Sequence, residues 1–312
     1  MQFGSFDQHA QAAFSGHDEV GVKHYVGKVG TNSRVMLGND KRVKNLWLTV
    51  AEAYAALESN QCDMLIIPPE SHSLAETLVW AKNNCVMTGM KKGSRMNIRN
   101  RIGMSTAFTP MITVSGYGNT FKDIYTMHGT AAGDYIGWLI SGERNYFNRV
   151  HFGGPMNAAQ GGHASYEGVA IDGSENTFDD CVFGTDTIAR DEVSPNVTLG
   201  PATKTLFRNC TFMCNLADGD PIFIKAENSS GNTWAYFENC KFFAFNSNYA
   251  TPMTVAVDST AAASCALVFD INCMFQNVTI IADATTDAYV HIPRTHNTTT
   301  DSEGLVGAVL TA

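Results

Sequence analysis

The chain has 312 residues, of which 44% are hydrophobic and only 16% charged, and it carries a formal net charge of −9. That balance excludes a disordered chain, and the acidic excess argues against sequence-independent nucleic-acid binding, which requires a concentrated positive surface. No run of about 18 apolar residues occurs, so no membrane-spanning helix and no membrane partner are expected.

In chain order, residues 1–45 come first, rich in Gly, His, Ser and Asn with scattered Phe3, Phe6, Phe14, Tyr25 and Val26. They fit no repeat and are expected to be either a frayed terminus or an arm that docks on a larger particle. The opening MQFGSFDQHAQ has no basic stretch followed by an apolar run. No secretory signal is therefore expected, and the eight cysteines are expected to be reduced thiols. In 47–59, Thr49 precedes Glu52 by three residues, a capping-box spacing, and Val50, Ala53, Tyr54 and Leu57 follow at helical intervals. One helix is expected there, followed by a buried strand in 63–80 that ends at Pro68–Pro69, and another strand in 84–90. The basic residues Lys91, Lys92, Arg95, Arg99 and Arg101 lie just beyond, scattered over a short stretch.

From residue 119 onward a phrase repeats: NTFKDIY, NYFNRVHF, NTFDDCVF, TLFRNCTF, AYFENCKF and LVFDINCMF, anchored on Phe121, Phe147, Phe178, Phe207, Phe237 and Phe269. Differences between these positions are 26, 31, 29, 30 and 32 residues. Each copy is preceded by a short run rich in β-branched and aromatic residues, such as MITVSG or GVAIDG, closed by a turn residue. A unit of this size without a helix cannot enclose its own core, but stacked units can, pairing their backbones with the units on either side. The expected fold is all-β, a right-handed parallel β-helix with an N-terminal arm and a capping helix. Within the phrase, Phe178 and Cys181 are three apart and face opposite ways in a continuous strand. For both to point inward, the backbone must turn at Asp180, and its counterparts Asp123, Asn209 and Asn239 tolerate a left-handed conformation. Arg149 breaks that pattern. The sixth copy has one extra residue before Cys273, which predicts a bulge or reset. The inward position then reads Ile124, Val150, Cys181, Cys210, Cys240, so these cysteines are expected to be core filler. A disulfide between adjacent coils is sterically conceivable but not indicated.

The order Thr49-x-x-Glu52-Ala53, then Asp63-Met-Leu-Ile-Ile-Pro-Pro, then Cys85-Val-Met-Thr-Gly resembles the opening of pectin-lyase-like β-helix proteins. In that superfamily a helix plugs the barrel ahead of a D-x-I-x-x-P-G strand; here Pro69 stands where the family has Gly. The resemblance covers about residues 45–280 and is closest to β-helix proteins of tailed bacteriophages. It implies the division 1–45 attachment arm, 46–280 β-helix, and 281–312 C-terminal cap or subunit-contact strands.

The resemblance leaves two function classes open, because the fold carries enzymes and passive structural parts alike. The first is a non-enzymatic virion structural protein decorating or stabilising the phage head. It would bind the major capsid protein or another virion protein through residues 1–45, and self-associate as a homotrimer. The second is a tailspike or receptor-binding depolymerase that cleaves a host surface glycan. Adhesin-like glycan binding lies between them. No Ser-His-Asp order, P-loop, GxGxxG or zinc spacing occurs, so no cofactor and no metal are expected. The loop 153–168 carries His163, Tyr166 and Glu167, and loops on rigid scaffolds often carry function. If the chain catalyses, the candidates are Glu143, His163, Glu167 and Asp172. Further acidic residues are Asp134, Asp179, Asp180, Glu192 and Glu238, with His151 nearby in sequence. Asp179 and Glu238 share a column with Arg208 between them, which predicts a surface charge ladder.

Overall fold

Each unit lays down three short strands, and each strand pairs with the matching strand one coil away. The computed structural model describes residues 21–92, 98–129, 135–161, 163, 165–228, 232–246, 251–262, 264–284, 288–292, 295–299 and 302–306. Three sheets result, of eleven, eleven and eight strands. Sheet 1 runs through Thr120–Lys122, Tyr146–Asn148, Thr177–Asp179, Thr205–Arg208, Thr233–Glu238 and Cys265–Phe269. Sheet 2 includes Tyr125–His128, His151–Pro155, Val182–Phe183, Thr211–Leu216, Lys241–Phe245 and Met274–Gln276. Sheet 3 is built from the runs that precede each phrase, among them Ile136–Ile140, Glu167–Ile171, Pro195–Leu199 and Ile222–Ala226. The chain visits the sheets in the order 1, 2, 3 and repeats, and the coil-to-coil pairing is parallel.

The repeated phrase sets the register. Phe121, Phe147, Phe178, Phe207, Phe237 and Phe269 pair in sequence along sheet 1. Their rings stack with centroids 4.9, 4.6, 4.9, 4.7 and 4.4 Å apart, close to the strand spacing, so one rotamer serves every coil. A second column, Phe152, Phe183, Phe212, Phe242 and Phe275, stacks alongside at 4.9, 4.7, 4.5 and 4.4 Å. Burying each phenyl stabilises the fold by roughly 1.5–3 kcal/mol.

Between the two columns the backbone turns where the phrase predicts. Asp123, Arg149, Asp180, Asn209 and Asn239 have φ of 55, 51, 56, 55 and 50°. Arg149, the exception by residue type, adopts the same left-handed corner, and its guanidinium donates to both Asp123 carboxylate oxygens at 2.7 and 3.0 Å. The extra residue of the sixth copy is absorbed by a turn in which the Cys273 amide donates to the Asp270 carbonyl. Register then resumes, with Phe242 opposite Phe275. Past the corner Ile124, Val150, Cys181, Cys210, Cys240 and Cys273 are all buried in the core. The cysteines are unoxidised, and the thiols of Cys181, Cys210 and Cys240 donate to the carbonyls of Phe147, Phe178 and Phe207. Burial pushes the Cys210 and Cys240 thiols far above the ordinary range, which keeps them protonated and unreactive.

At the entry to sheet 1 an asparagine ladder does for polar groups what phenylalanine does for the core. Asn119, Asn145 and Asn176 are buried. The Asn119 and Asn145 amides donate to the side-chain oxygens of Asn145 and Asn176 at 2.9 Å, and the Asn176 side chain closes on the Gly142 and Gly173 carbonyls. Turn backbone that would otherwise be orphaned is thereby satisfied.

Two helices lie at the N-terminal end: α1, Asn32–Asn39, and α2, Val50–Ala55. The expected capping box forms, with Thr49 Oγ1 accepting from the Glu52 amide and Glu52 Oε2 accepting from the Thr49 amide, both at 3.1 Å. Val50, Ala53 and Leu57 enter the core, and Tyr54 packs on Trp80, so α2 covers the open end of the stack. The segment 1–45 divides. Residues 1–20 lie outside the described residues, whereas Lys23–Val26 joins sheet 1 beside Met64–Ile67, and α1 follows it. Thr31 caps α1 through its hydroxyl, a signal present in the sequence but without apolar periodicity behind it. At the other end Val278–Ala284 and Ala288–His291 continue sheets 3 and 1. Thr295–Thr299 joins sheet 2, where Ser302–Val306 pairs with it antiparallel.

Candidate functional site

The outer face of sheet 1 carries the predicted charge column. Asp179 lies opposite Arg208, and Arg208 opposite Glu238. Arg208 forks onto Asp179 at 3.0 and 3.1 Å, and the Tyr146 hydroxyl donates to the same carboxylate at 2.9 Å. These bonds hold the Asp179 carboxyl below its ordinary value against the opposing effect of burial. An ionised, fully engaged carboxylate of this kind is structural.

The four candidates for catalysis do not converge. Glu143 is exposed in the turn between sheets 3 and 1. His163 is half-buried in the long loop, beyond the single-turn helix α3, Ala158–Gly161. Its ring stacks on Tyr135 with centroids 3.9 Å apart, and Nδ1 accepts from the Ser165 amide. Glu167 opens a strand of sheet 3, its amide bonded to the Tyr135 carbonyl. Burial raises its carboxyl to about 6, helped by nearby Glu227 and Asp172 and opposed by Lys225. Lys225 is itself ion-paired to Glu227. Asp172, exposed by area at the end of the same strand, is raised by partial desolvation. Glu167 is a proton donor below about pH 6, with Asp172 among the charges that raise it. No charge from Glu143 or His163 figures among the causes of the Glu167 shift. Asp134 lies outside the described residues.

No motif marks the buried polar cluster that lies beneath the same loop. Tyr166, expected on a mobile loop surface, is fully buried, as are His128 and Arg190. His128 stacks on Tyr166 at 5.3 Å, and the Arg190 guanidinium lies 4.9 Å above the same ring. Arg190 donates to Asn196 Oδ1 at 2.6 Å, to Ser194 Oγ and to the Ser194 carbonyl. These acceptors are neutral. Gly137 makes room for the cluster, since a Cβ there would meet His128 Nδ1 at 2.7 Å. Burial, and then the Arg190 charge, lower His128 to about 3, so its imidazole stays neutral. Among the described residues, His128 Nε2 and Tyr166 Oη have no hydrogen-bond partner. His151, also named from sequence, is buried with Nε2 2.9 Å from the Gly184 carbonyl. Among the described residues, no group of three or more His, Cys, Asp or Glu side chains stands where it would hold a metal ion.

No protein-family model matches the sequence, and no curated protein matches it. Solved structures do share its architecture. Pectate lyase Pel9A superposes with a TM-score of 0.59 at 14% identity, over 87% of this chain and 68% of that one. The pectin methylesterase of Aspergillus niger gives 0.57 at 15% identity, over 95% and 92%. The ORF18 protein of Geobacillus virus E2 gives 0.50 at 12% identity, over 95% and 63%. The chain is a right-handed parallel β-helix. At these identities the likeness concerns the fold, and chemistry does not travel with it.

The N-terminal cap has an unusual surface for this molecule. Of the thirteen large hydrophobic residues exposed among the described residues, five fall within 22–48: Val22, Val29, Val35, Met36 and Leu48. Their exposures run from 44% at Leu48 to 73% at Met36.

Proposed function

We propose that this protein is a non-enzymatic virion structural protein of a tailed bacteriophage, carried on the head surface and attached through its N-terminal end. The observation that carries this reading is the apolar surface of residues 22–48. Large apolar residues left exposed together at one end of a chain fit a contact with another protein. Here they sit on the capped end of a rigid rod, next to the twenty residues that precede them in sequence. The fold shared with a protein of Geobacillus virus E2 supports the phage origin. The partner is the major capsid protein or a neighbouring head protein, and the rod self-associates as a homotrimer. Immunogold labelling of virions tests the placement. Label over the head supports it, and label confined to the tail overturns it. Co-sedimentation with empty capsids, lost on Met36→Glu with Val35→Glu, tests the surface.

A second reading, a depolymerase acting on host surface glycan, is favoured by one observation, the raised Glu167 beside Asp172. Release of reducing ends from host polysaccharide, abolished by Glu167→Gln, would establish it in place of the first.

A further inference from the structure

The scattered basic residues after the sheet-1 strand Val86–Gly89 assemble into a pocket. Pro69, Glu70, Ser71, Lys91, Arg99 and Arg101 enclose about 330 Å³ on the outside of sheet 2 near its N-terminal end. Ser71 and Arg101 are register partners on adjacent strands, Ser71–Leu74 and Arg101–Met104, which places both on one wall. Lys91 is held by its backbone: the Asn100 side chain donates to the Lys91 carbonyl at 2.7 Å and also to the Asp123 carbonyl at 2.7 Å.

Three cations therefore face one carboxylate, on a chain whose net charge is −9. That carboxylate is engaged elsewhere. Glu70 Oε1 accepts from the Lys28 amide and lies 3.6 Å from His72 Nε2. Among the described residues no ion pair joins Glu70 to Lys91, Arg99 or Arg101. Arg101 is laid over the Tyr125 ring at 5.7 Å, which fixes the plane of its guanidinium, and its Nε is buried without a hydrogen-bond partner.

We propose that this pocket is a binding site for a compact oxyanion, a phosphate or carboxylate group on a ligand of about monosaccharide size. Planar, oriented guanidinium with a neighbouring ammonium is the arrangement that recognises such groups. The volume lies at the lower end of the range for small-ligand pockets, roughly 300–1,000 Å³. A nucleic acid would need a longer positive track than three residues on an otherwise acidic surface. The site does not involve Glu167; at Glu70 it borders the N-terminal segment through the Lys28 amide.

Isothermal titration calorimetry on the full chain tests it, with inorganic phosphate, glucose 6-phosphate and glucuronate as probes and glucose as control. Saturable binding of at least one anion is expected, with no heat from glucose. Arg99→Gln, an exposed change, and Arg101→Gln are each expected to weaken it about tenfold or more, as loss of one charge-assisted bond does. Retention of the melting transition in Arg99→Gln separates lost binding from lost folding. Preference for glucose 6-phosphate or for glucuronate identifies which anion the ligand carries, and either supports the site. No saturable binding by any anion, or binding unchanged in both variants, overturns it. So does tighter binding of a single-stranded oligonucleotide with a salt dependence steeper than three charges allow.

Discussion

The corner between sheets 1 and 2 and the corner beneath the loop 153–168 meet the same demand in opposite ways. At the first corner the four coils anchored on Phe147, Phe178, Phe207 and Phe237 give the same answer: Phe inward, a left-handed Asp, Asn or Arg, then Cys or Val, then Phe. At the second, His128, Tyr166, Arg190 and Asn196 are used once each, and two buried polar atoms have no partner. Repetition satisfies polar groups cheaply because a rung that fits one coil fits the next. A single cluster must be completed by residues far apart in the chain, and its imperfections are not averaged away.

Five variants sharpen or break this contrast, beginning with the largest expected loss. Phe207→Ala removes a ring stacked on two others and should destabilise by about 3–5 kcal/mol in urea unfolding. Tyr166→Phe, in the irregular corner, should be neutral or slightly stabilising, because it deletes an unpaired buried hydroxyl. A loss at Tyr166→Phe comparable to that at Phe207 would show that the two corners are not different in kind. Asn176→Leu strands two carbonyls and an amide, and should cost about 1–3 kcal/mol. An unchanged urea midpoint would remove the ladder from the account.

The fourth measurement uses pH. His128 is held near 3 and His151 near 4, against about 6.5 in the unfolded chain. Above pH 6.5 both are neutral in either state and cost nothing. As pH falls below 6.5 the unfolded chain takes up protons that the folded chain refuses, so stability declines down to the folded values. Glu167 acts oppositely between its ordinary 4.5 and about 6, where the folded state protonates first. His128→Phe should therefore flatten the stability–pH curve between pH 6 and 4 by up to about 1.4 kcal/mol per unit, one proton's slope. A curve parallel to that of the parent would mean that His128 is not excluded from protonation. The smallest effect is at the corner itself. Asn209→Gly should change stability by less than about 1 kcal/mol, since glycine accepts the same φ of 55°. A loss above that would show that the Asn209 side chain, which accepts from Asn239, matters more than its backbone.

What the sequence makes legible follows the same division. Corner geometry depends on a local property, tolerance of positive φ, so the phrase discloses it, and the inward columns follow by counting. Arg149 was the exception by residue type, yet the position imposed its conformation and Asp123 supplied the counter-charge. Lys23–Val26 was opaque because four residues with no repeat around them show nothing until Met64–Ile67 is placed beside them. The candidate site was half legible. Glu167 and Asp172 stand two apart from any motif, and the partners that perturb Glu167, Glu227 and Lys225, are nearly sixty residues away in sequence. Tyr166 looked like a loop residue because the strand that covers it, Ala189–Arg190, arrives only later in the chain.

The two phenylalanine columns have a consequence for assembly of the rod. Interchangeable rungs give a coil no means of knowing its own number, and a strand that added one storey too high would meet the same rings and the same thiols. The Arg190–Tyr166–His128 cluster joins three successive coils at one place among the described residues. It works as a key cut for a single lock, making a slipped stack fail at one place and letting the rest of the rod be built from identical parts.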